Sequence, residues 1–262
     1  MTTFTTEDRL AARPLQDRIT DWIRDYANQA GVKSLVVGIS GGIDSAVVSA
    51  LCARTGLNTF AVTMPIRQRP ELHDLSVRQG IWLKQHFSNV HHDTIDLTST
   101  FNEFEQQLTT YPNLLGLANS RSRLRMVTLY QIAQSVNGLV IGTGNKVEDF
   151  GVGFYTKYGD GGVDISPIAD CYKTEVWQMG RELGVLPEII DAPPTDGLWD
   201  DGRTDQDQLA GLTYADLELA MQQDLGEVPV ANTTQQHNLD SYRAIRARSL
   251  HKMNPIPVFK KS

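Results

Sequence analysis

Apolar side chains recur at Leu15, Ile19, Trp22, Ile23 and Tyr26 with polar residues between them, the spacing of one helix face, so the chain is expected to open with an amphipathic helix packed on a sheet. Ser34 to Ile39 is a short apolar, β-branched run and reads as a buried strand. Ile43 to Arg54 then reads as a helix, which puts Ser40-Gly41-Gly42 at a strand-to-helix turn. The alternation continues with strand Asn58 to Met64, helix Leu72 to Phe87, strand Val90 to Leu97, helix Ser122 to Val136 and strand Gly138 to Ile141. Strands separated by helices imply right-handed crossovers. The expected fold is therefore α/β, a doubly wound parallel sheet flanked by helices, with ligands at the carboxyl ends of the strands.

Beyond the last strand the pattern loosens. Phe150 to Asp164 is rich in Gly, Tyr and Lys, and Asp191 to Gln208 in Pro, Asp and Gly; both read as loops. Helices are expected over Thr174 to Leu183 and Tyr214 to Gln223. Long loops in a compact domain are usually functional, and Pro193 to Asp205 is the expected active-site lid. A single domain over residues 1–262 accommodates all of this, with no repeat or low-complexity segment.

Composition narrows the function. A formal net charge of -7 offers no global positive field for a nucleic acid, so a small-molecule substrate is favoured. The two cysteines, Cys52 and Cys171, lie far apart and form no metal-ligand spacing, which fits a reducing cytoplasm. No apolar run is long enough to span a membrane, and the first residues lack the apolar core of a secretory signal.

Ser40-Gly41-Gly42 presents closely spaced backbone N–H groups, and a helix starting near Ile43 adds its positive end, so this turn is a candidate anion cradle. It is too short for GxxxxGK[ST] and carries no lysine. The bland alternative is a tight glycine turn capped by Ser40 or Ser45. Asp44 argues against it: a carboxylate about 4 Å from a phosphate charge is repelled by about 4 kcal/mol at an effective dielectric of 20. Such a residue makes sense in an anion cradle when a divalent cation, Mg²⁺ being the usual choice, lies between the two. Gly142-Thr143-Gly144-Asn145-Lys146-Val147-Glu148 brings a hydroxyl and a second carboxylate to another strand end.

SGGxDS resembles the pyrophosphate-binding loop of the N-type ATP pyrophosphatases, enzymes that cleave ATP between its α and β phosphates. The larger ordered set resembles the NAD synthetase family from residue 38 to near the end: SGGIDS, Arg121 to Met126, GTGNKVE, FYTKYGDGGVD, Lys173, PPTDGLWDD and His251-Lys252. The resemblance implies an adenine nucleotide α-hydrolase-like fold and ATP binding by Gly38, Ile39, Ser40, Gly41, Gly42, Ile43, Asp44 and Ser45 with Thr143, Lys173 and Thr195. It also implies Mg²⁺ on Asp44 and Glu148, and deamido-NAD contacts from Arg123, Lys157, Asp164, His251 and Lys252. A homodimer is implied as well. Taken singly, Lys173 reads equally as a solvated helix residue, Thr195 as a turn cap and His251-Lys252 as a complement to a helix C-terminus. Two departures stand out: many relatives read GTDHAAE at the second motif, and one extra residue separates Glu148 from FYTKYGD.

The implied reaction is adenylation of the nicotinate carboxylate by ATP followed by displacement of AMP by ammonia, with Asp44, Glu148, Lys173 and Asp164 as the catalytic set. Asp164 is the expected ammonium-handling carboxylate. No room is seen for an amidase domain, so free ammonia is the expected nitrogen source. The competing readings are another amidating or thiolating ATP pyrophosphatase, such as a tRNA thiolase or a GMP synthetase, and a non-catalytic nucleotide-binding module. The acidic balance and scattered cysteines disfavour a thiolase, and two metal-suited carboxylates disfavour the binding module.

Overall fold

In a computed structural model of the chain, residues 13–68, 70–194 and 205–261 are described. Strands β1 (Ser34–Gly38), β2 (Asn58–Thr63), β3 (Val90–Thr94) and β4 (Gly138–Val140) form one parallel sheet in the order β3-β2-β1-β4. Val36 pairs with Phe60 on one side and with Val140 on the other, which makes β1 central. The strand order reverses beside it, between β1 and β4, and that is where an open sheet leaves a crevice.

Period-two alternation in β1 splits its side chains between two cores. Leu35 and Val37 face one cluster with α1 (Leu15–Gln29), α2 (Ile43–Arg54), α3 (Pro70–His86) and α6 (Lys173–Leu183). Val36 faces the other, with Val62, Val140, Phe101 of α4 (Thr98–Gln107) and Ala133 of α5 (Leu114–Ser135). Helices thus cover both faces, as a doubly wound sheet requires. Helix α2 is buried from Ser45 through Ala53, so it has no amphipathic stripe and sits wedged between sheet and outer helices. Each large apolar side chain it buries contributes about 1.5–3 kcal/mol.

A third cluster lies outside the sheet layers. It joins a seven-residue π-helix (Lys146–Val152), Leu209 just beyond α8 (Asp205–Gln208), α9 (Tyr214–Asp224) and α10 (Thr233–Met253). A short α7 (Pro187–Ile190) completes the order.

The structure departs from the sequence pattern in several places. Helix α5 begins at Leu114 rather than Ser122, because the Asn113 side chain accepts from Gly116 N at 2.7 Å and caps an earlier start. Helix α4 was not expected at all. Strand β3 stops at Thr94, yet Ile95 N and Leu97 N still donate to Thr63 O and Pro65 O at 2.8 and 3.0 Å. The first expected loop opens with the tail of the π-helix, and α10 carries His251 and Lys252 in its last turn, where cations complement a helix C-terminus.

Candidate active site

Strand β1 ends at Gly38 and α2 begins at Ile43; Gly41 turns the chain between them at φ 91°, a conformation glycine adopts without penalty. The two serines tie this turn to itself. Ser45 Oγ accepts from Ser40 N at 3.1 Å and donates to Gly42 O at 3.0 Å, while Ser40 Oγ accepts from Gly42 N at 3.2 Å. No side chain caps α2, so its positive end stays open toward a cavity of about 850 Å³.

Opposite the turn lies a compact ionic centre. Lys173, the first residue of α6, is 2% exposed, and its Nζ donates to Asp44 Oδ2 at 2.5 Å and to Glu148 Oε1 at 2.9 Å. The Tyr214 hydroxyl donates to the same Glu148 oxygen, and its ring lies 4.7 Å from the ammonium. Asn145 joins the parts: its Nδ2 donates to Asp44 Oδ1 at 3.2 Å, and its Oδ1 accepts from Val147 N and Glu148 N, each at 3.1 Å, capping the π-helix that carries Glu148.

Burial sets the protonation states against the local charges. For Lys173, burial alone would favour the neutral amine, but Asp44 and Glu148 outweigh it and hold the ammonium charged. Burial likewise pushes Glu148 upward, yet Lys173 and the Tyr214 hydroxyl bring it below the ordinary range. In Asp44 burial wins over Lys173, with help from the Glu148 charge, and its pKa is raised.

The other wall comes from the Phe154 to Gly162 loop and the end of α10, which lace together through carbonyls. Lys252 donates to Gly153 O and to Tyr155 O at 2.9 Å, and Tyr155 OH returns a bond to Lys252 O at 2.7 Å. Lys157 Nζ donates to His251 O at 3.1 Å, and Arg123 Nε to Lys157 O at 3.2 Å.

The cavity is lined by every residue expected to bind ATP or deamido-NAD except two. Thr195 and most of the expected lid, Thr195 to Thr204, lie outside the described residues. Asp164 does not line the cavity: its Oδ1 accepts from Tyr130 OH at 3.0 Å and its Oδ2 from Val140 N at 2.7 Å, so its carboxylate braces β4 against α5. Two cavity carboxylates missed in the sequence are Asp149 and Asp160, both raised in pKa, first by burial. Asp160 is open to the cavity yet enclosed by protein, with Oδ1 accepting from Ser122 Oγ at 2.7 Å and Thr156 N at 3.0 Å. Tyr214 was also missed, since nothing local in its helix points to Glu148, 66 residues away. Asn145 stood inside a recognised motif without an assigned role.

Asp44 and Glu148 supply two hard oxygen ligands at the cavity wall, a donor set that suits Mg²⁺ when phosphate and water complete the shell. Among the described residues no group of three or more His, Cys, Asp or Glu side chains could hold a metal.

An open phosphate cradle at a switch point, beside two carboxylates sharing a lysine, defines a nucleotide-dependent α/β enzyme. The comparisons with known proteins narrow the class. The NAD synthase family model matches residues 15–257, and the chain belongs to that family. It is 43% identical over 204 residues to the ammonia-dependent NAD⁺ synthetase of Alkaliphilus metalliredigens, covering 76% of this chain and 81% of the relative. Among solved structures, the NMN synthetase of Francisella tularensis superposes with a TM-score of 0.84 at 31% identity, covering 94% of this chain and 98% of that one. The ammonia-dependent NAD synthetase of Campylobacter jejuni gives 0.74 at 25%, covering 94% and 97%.

Proposed function

We propose that this cavity performs the family's reaction with the residues placed above, the ionic triad of Asp44, Lys173 and Glu148 beside the open Ser40 to Ser45 cradle being the observation that carries the reading. The reaction is the ATP-dependent amidation of deamido-NAD by ammonia to give NAD, AMP and pyrophosphate. The cradle and the N-terminus of α2 bind the phosphates, with Thr143 at the neighbouring strand end. Lys173 offers a fixed positive charge to the departing pyrophosphate. Mg²⁺ held by Asp44 and Glu148 neutralises phosphate charge when it is bound.

The nicotinate carboxylate attacks the α-phosphorus, the bond to pyrophosphate breaks, and ammonia then attacks the acyl carbon and releases AMP. Neither cysteine serves as a nucleophile in this scheme. Both are buried, and burial pushes their thiols up, Cys171 to about 12. Arg123, Lys157, His251 and Lys252 face the dinucleotide, and holding two reactants in attack geometry accounts for about 7–11 kcal/mol of the barrier. Thr195 and the lid belong to the same scheme.

Residues 1–262 are taken as one catalytic unit, in a reducing cytoplasm that suits two free thiols. No helix among the described residues is long and apolar enough to cross a membrane. Tyr111, Leu114, Leu115 and Val127 are exposed apolar side chains on α5 and just before it, and a second copy of the chain in a homodimer would take such area out of water.

Similarity to the Francisella NMN synthetase favours a second reading, in which the same chemistry acts on nicotinate mononucleotide. An assay of the purified protein with ATP, Mg²⁺ and ammonium decides between them. Equal amounts of NAD, AMP and pyrophosphate from deamido-NAD support the first reading; a higher kcat/KM on the mononucleotide supports the second; no AMP with either overturns both.

A further inference from the structure

We infer that Arg125 is a substrate-binding residue whose guanidinium receives an anionic oxygen, phosphate or carboxylate, of a nucleotide in the cavity. The inference rests on the reading that the cavity binds nucleotides.

Arg125 sits on α5 and lines the cavity near the carboxyl end of β2. Its Nε donates to Met64 O at 2.9 Å and its Nη2 to Gln68 Oε1 at 3.1 Å. Both acceptors are neutral. Among the described residues no carboxylate forms an ion pair with it, although its side chain is half-buried. Burial, and then the neighbouring Arg121, bring its pKa down to about 10, while Asp160 pulls the other way; the group is still charged at neutral pH. A guanidinium in such surroundings is expensive to desolvate unless something anionic meets it.

The contrast with Lys173 is informative. That ammonium is paired with two carboxylates of the protein. Arg123, Lys157 and Lys252, which also line the cavity, bond to carbonyl oxygens and keep their charge for a ligand. Arg125 shares that pattern. A guanidinium has five N–H donors, and the two spent on Met64 and Gln68 fix its plane while leaving others toward the cavity. Steadying β2 would require only a neutral donor; a half-buried guanidinium at the cavity wall with no paired carboxylate is explained by an anionic ligand.

The test is direct binding by calorimetry to the full chain and to Arg125→Met and Arg125→Lys, with Mg²⁺ present. The ligands are ATP, deamido-NAD and NAD, each alone, and thermal melts are run alongside. We expect Arg125→Met to weaken one ligand class by about ten- to hundredfold, as loss of a charge-assisted hydrogen bond implies, with little change in melting temperature and partial recovery in Arg125→Lys. Weakening of ATP alone assigns the ATP phosphates. Weakening of deamido-NAD and NAD together assigns the dinucleotide phosphates, and of deamido-NAD alone the nicotinate carboxylate. Unchanged binding of all three overturns the inference, as does a uniform loss that follows a fall in melting temperature. If Arg125→Met does not fold, Arg125→Lys decides: it keeps the charge, loses the fork, and should weaken the same single class severalfold. If the unsubstituted chain binds no nucleotide, the functional reading itself fails.

Discussion

The ammonium of Lys173 lies 2.5 Å from Oδ2 of Asp44, although 129 residues separate them in sequence. Helix α2 carries one and the first residue of α6 is the other, so the packing of these two helices determines whether the phosphate cradle has a cation beside it. Lys173 is also what allows Asp44 and Glu148 to remain buried together.

Replacing Lys173 with Met leaves two carboxylates in the interior without their cation. Breaking a buried ion pair from one side costs about 3–5 kcal/mol, and we expect that loss in denaturant unfolding together with a fall in kcat of at least about a hundredfold. An unchanged unfolding midpoint would show that the ionic centre is not desolvated as described.

Asp164 should behave as a brace. In Asp164→Ala, Val140 N–H and Tyr130 OH lose their acceptor, for about 1–3 kcal/mol of stability, while the KM for ammonium stays unchanged. The Tyr130 phenol, raised to about 12 by burial and then by the Asp164 charge, should titrate lower in the variant. A raised ammonium KM with unchanged stability would instead assign Asp164 to ammonium handling.

Gly153 ends the π-helix at φ 65°, and a Cβ there would stand 2.6 Å from Ser249 Cβ on α10. Gly153→Ala combines left-handed strain of about 1–2 kcal/mol with overpacking of about 1–3 kcal/mol. It should also pull the Lys252 ammonium away from Gly153 O. Thermal unfolding and the KM for deamido-NAD check this: both should worsen, and a variant with native values would mean that α10 does not press on this turn.

His92 gives a pH signature away from the active site. Its ring lies against Gly80, its Nε2 is 3.1 Å from Thr63 Oγ1, and burial lowers its pKa from 6.5, with Asp93 opposing and Lys84 assisting. A base with a lowered folded pKa contributes stability that is present above the unfolded value and lost as pH falls through the folded one. Stability should therefore decline on acidification below pH 6.5, and less so in His92→Gln. Parallel pH profiles for the two proteins would contradict this.

The sheet was legible because β1, β2 and β4 each carry a short apolar run, Leu35 to Val37, Phe60 to Val62 and Leu139-Val140, and the cradle because glycines at a strand end have few other uses. Helix α4 was hidden, and of α10 only the basic end was legible, for a physical reason: each buries little, α4 only Phe101 and α10 only Leu239 and Tyr242, so neither shows a continuous stripe. The π-helix left no periodic trace, though the extra residue after Glu148 falls within or just beyond it. Asp44, Glu148 and Lys173 could be named from motifs, but their shared ion pair could not, because it depends on how α2 and α6 pack. The bonds of Asp164 to Tyr130 and Val140 were illegible for the complementary reason: a motif gives a residue's neighbours in sequence and not the direction of its side chain.

The adenylation step is tested most directly by following oxygen. With deamido-NAD labelled with heavy oxygen in the nicotinate carboxylate, attack on the α-phosphorus followed by ammonia displacement should deliver one labelled oxygen to AMP and none to pyrophosphate. Label appearing in inorganic phosphate, with ADP formed in place of AMP, would contradict it.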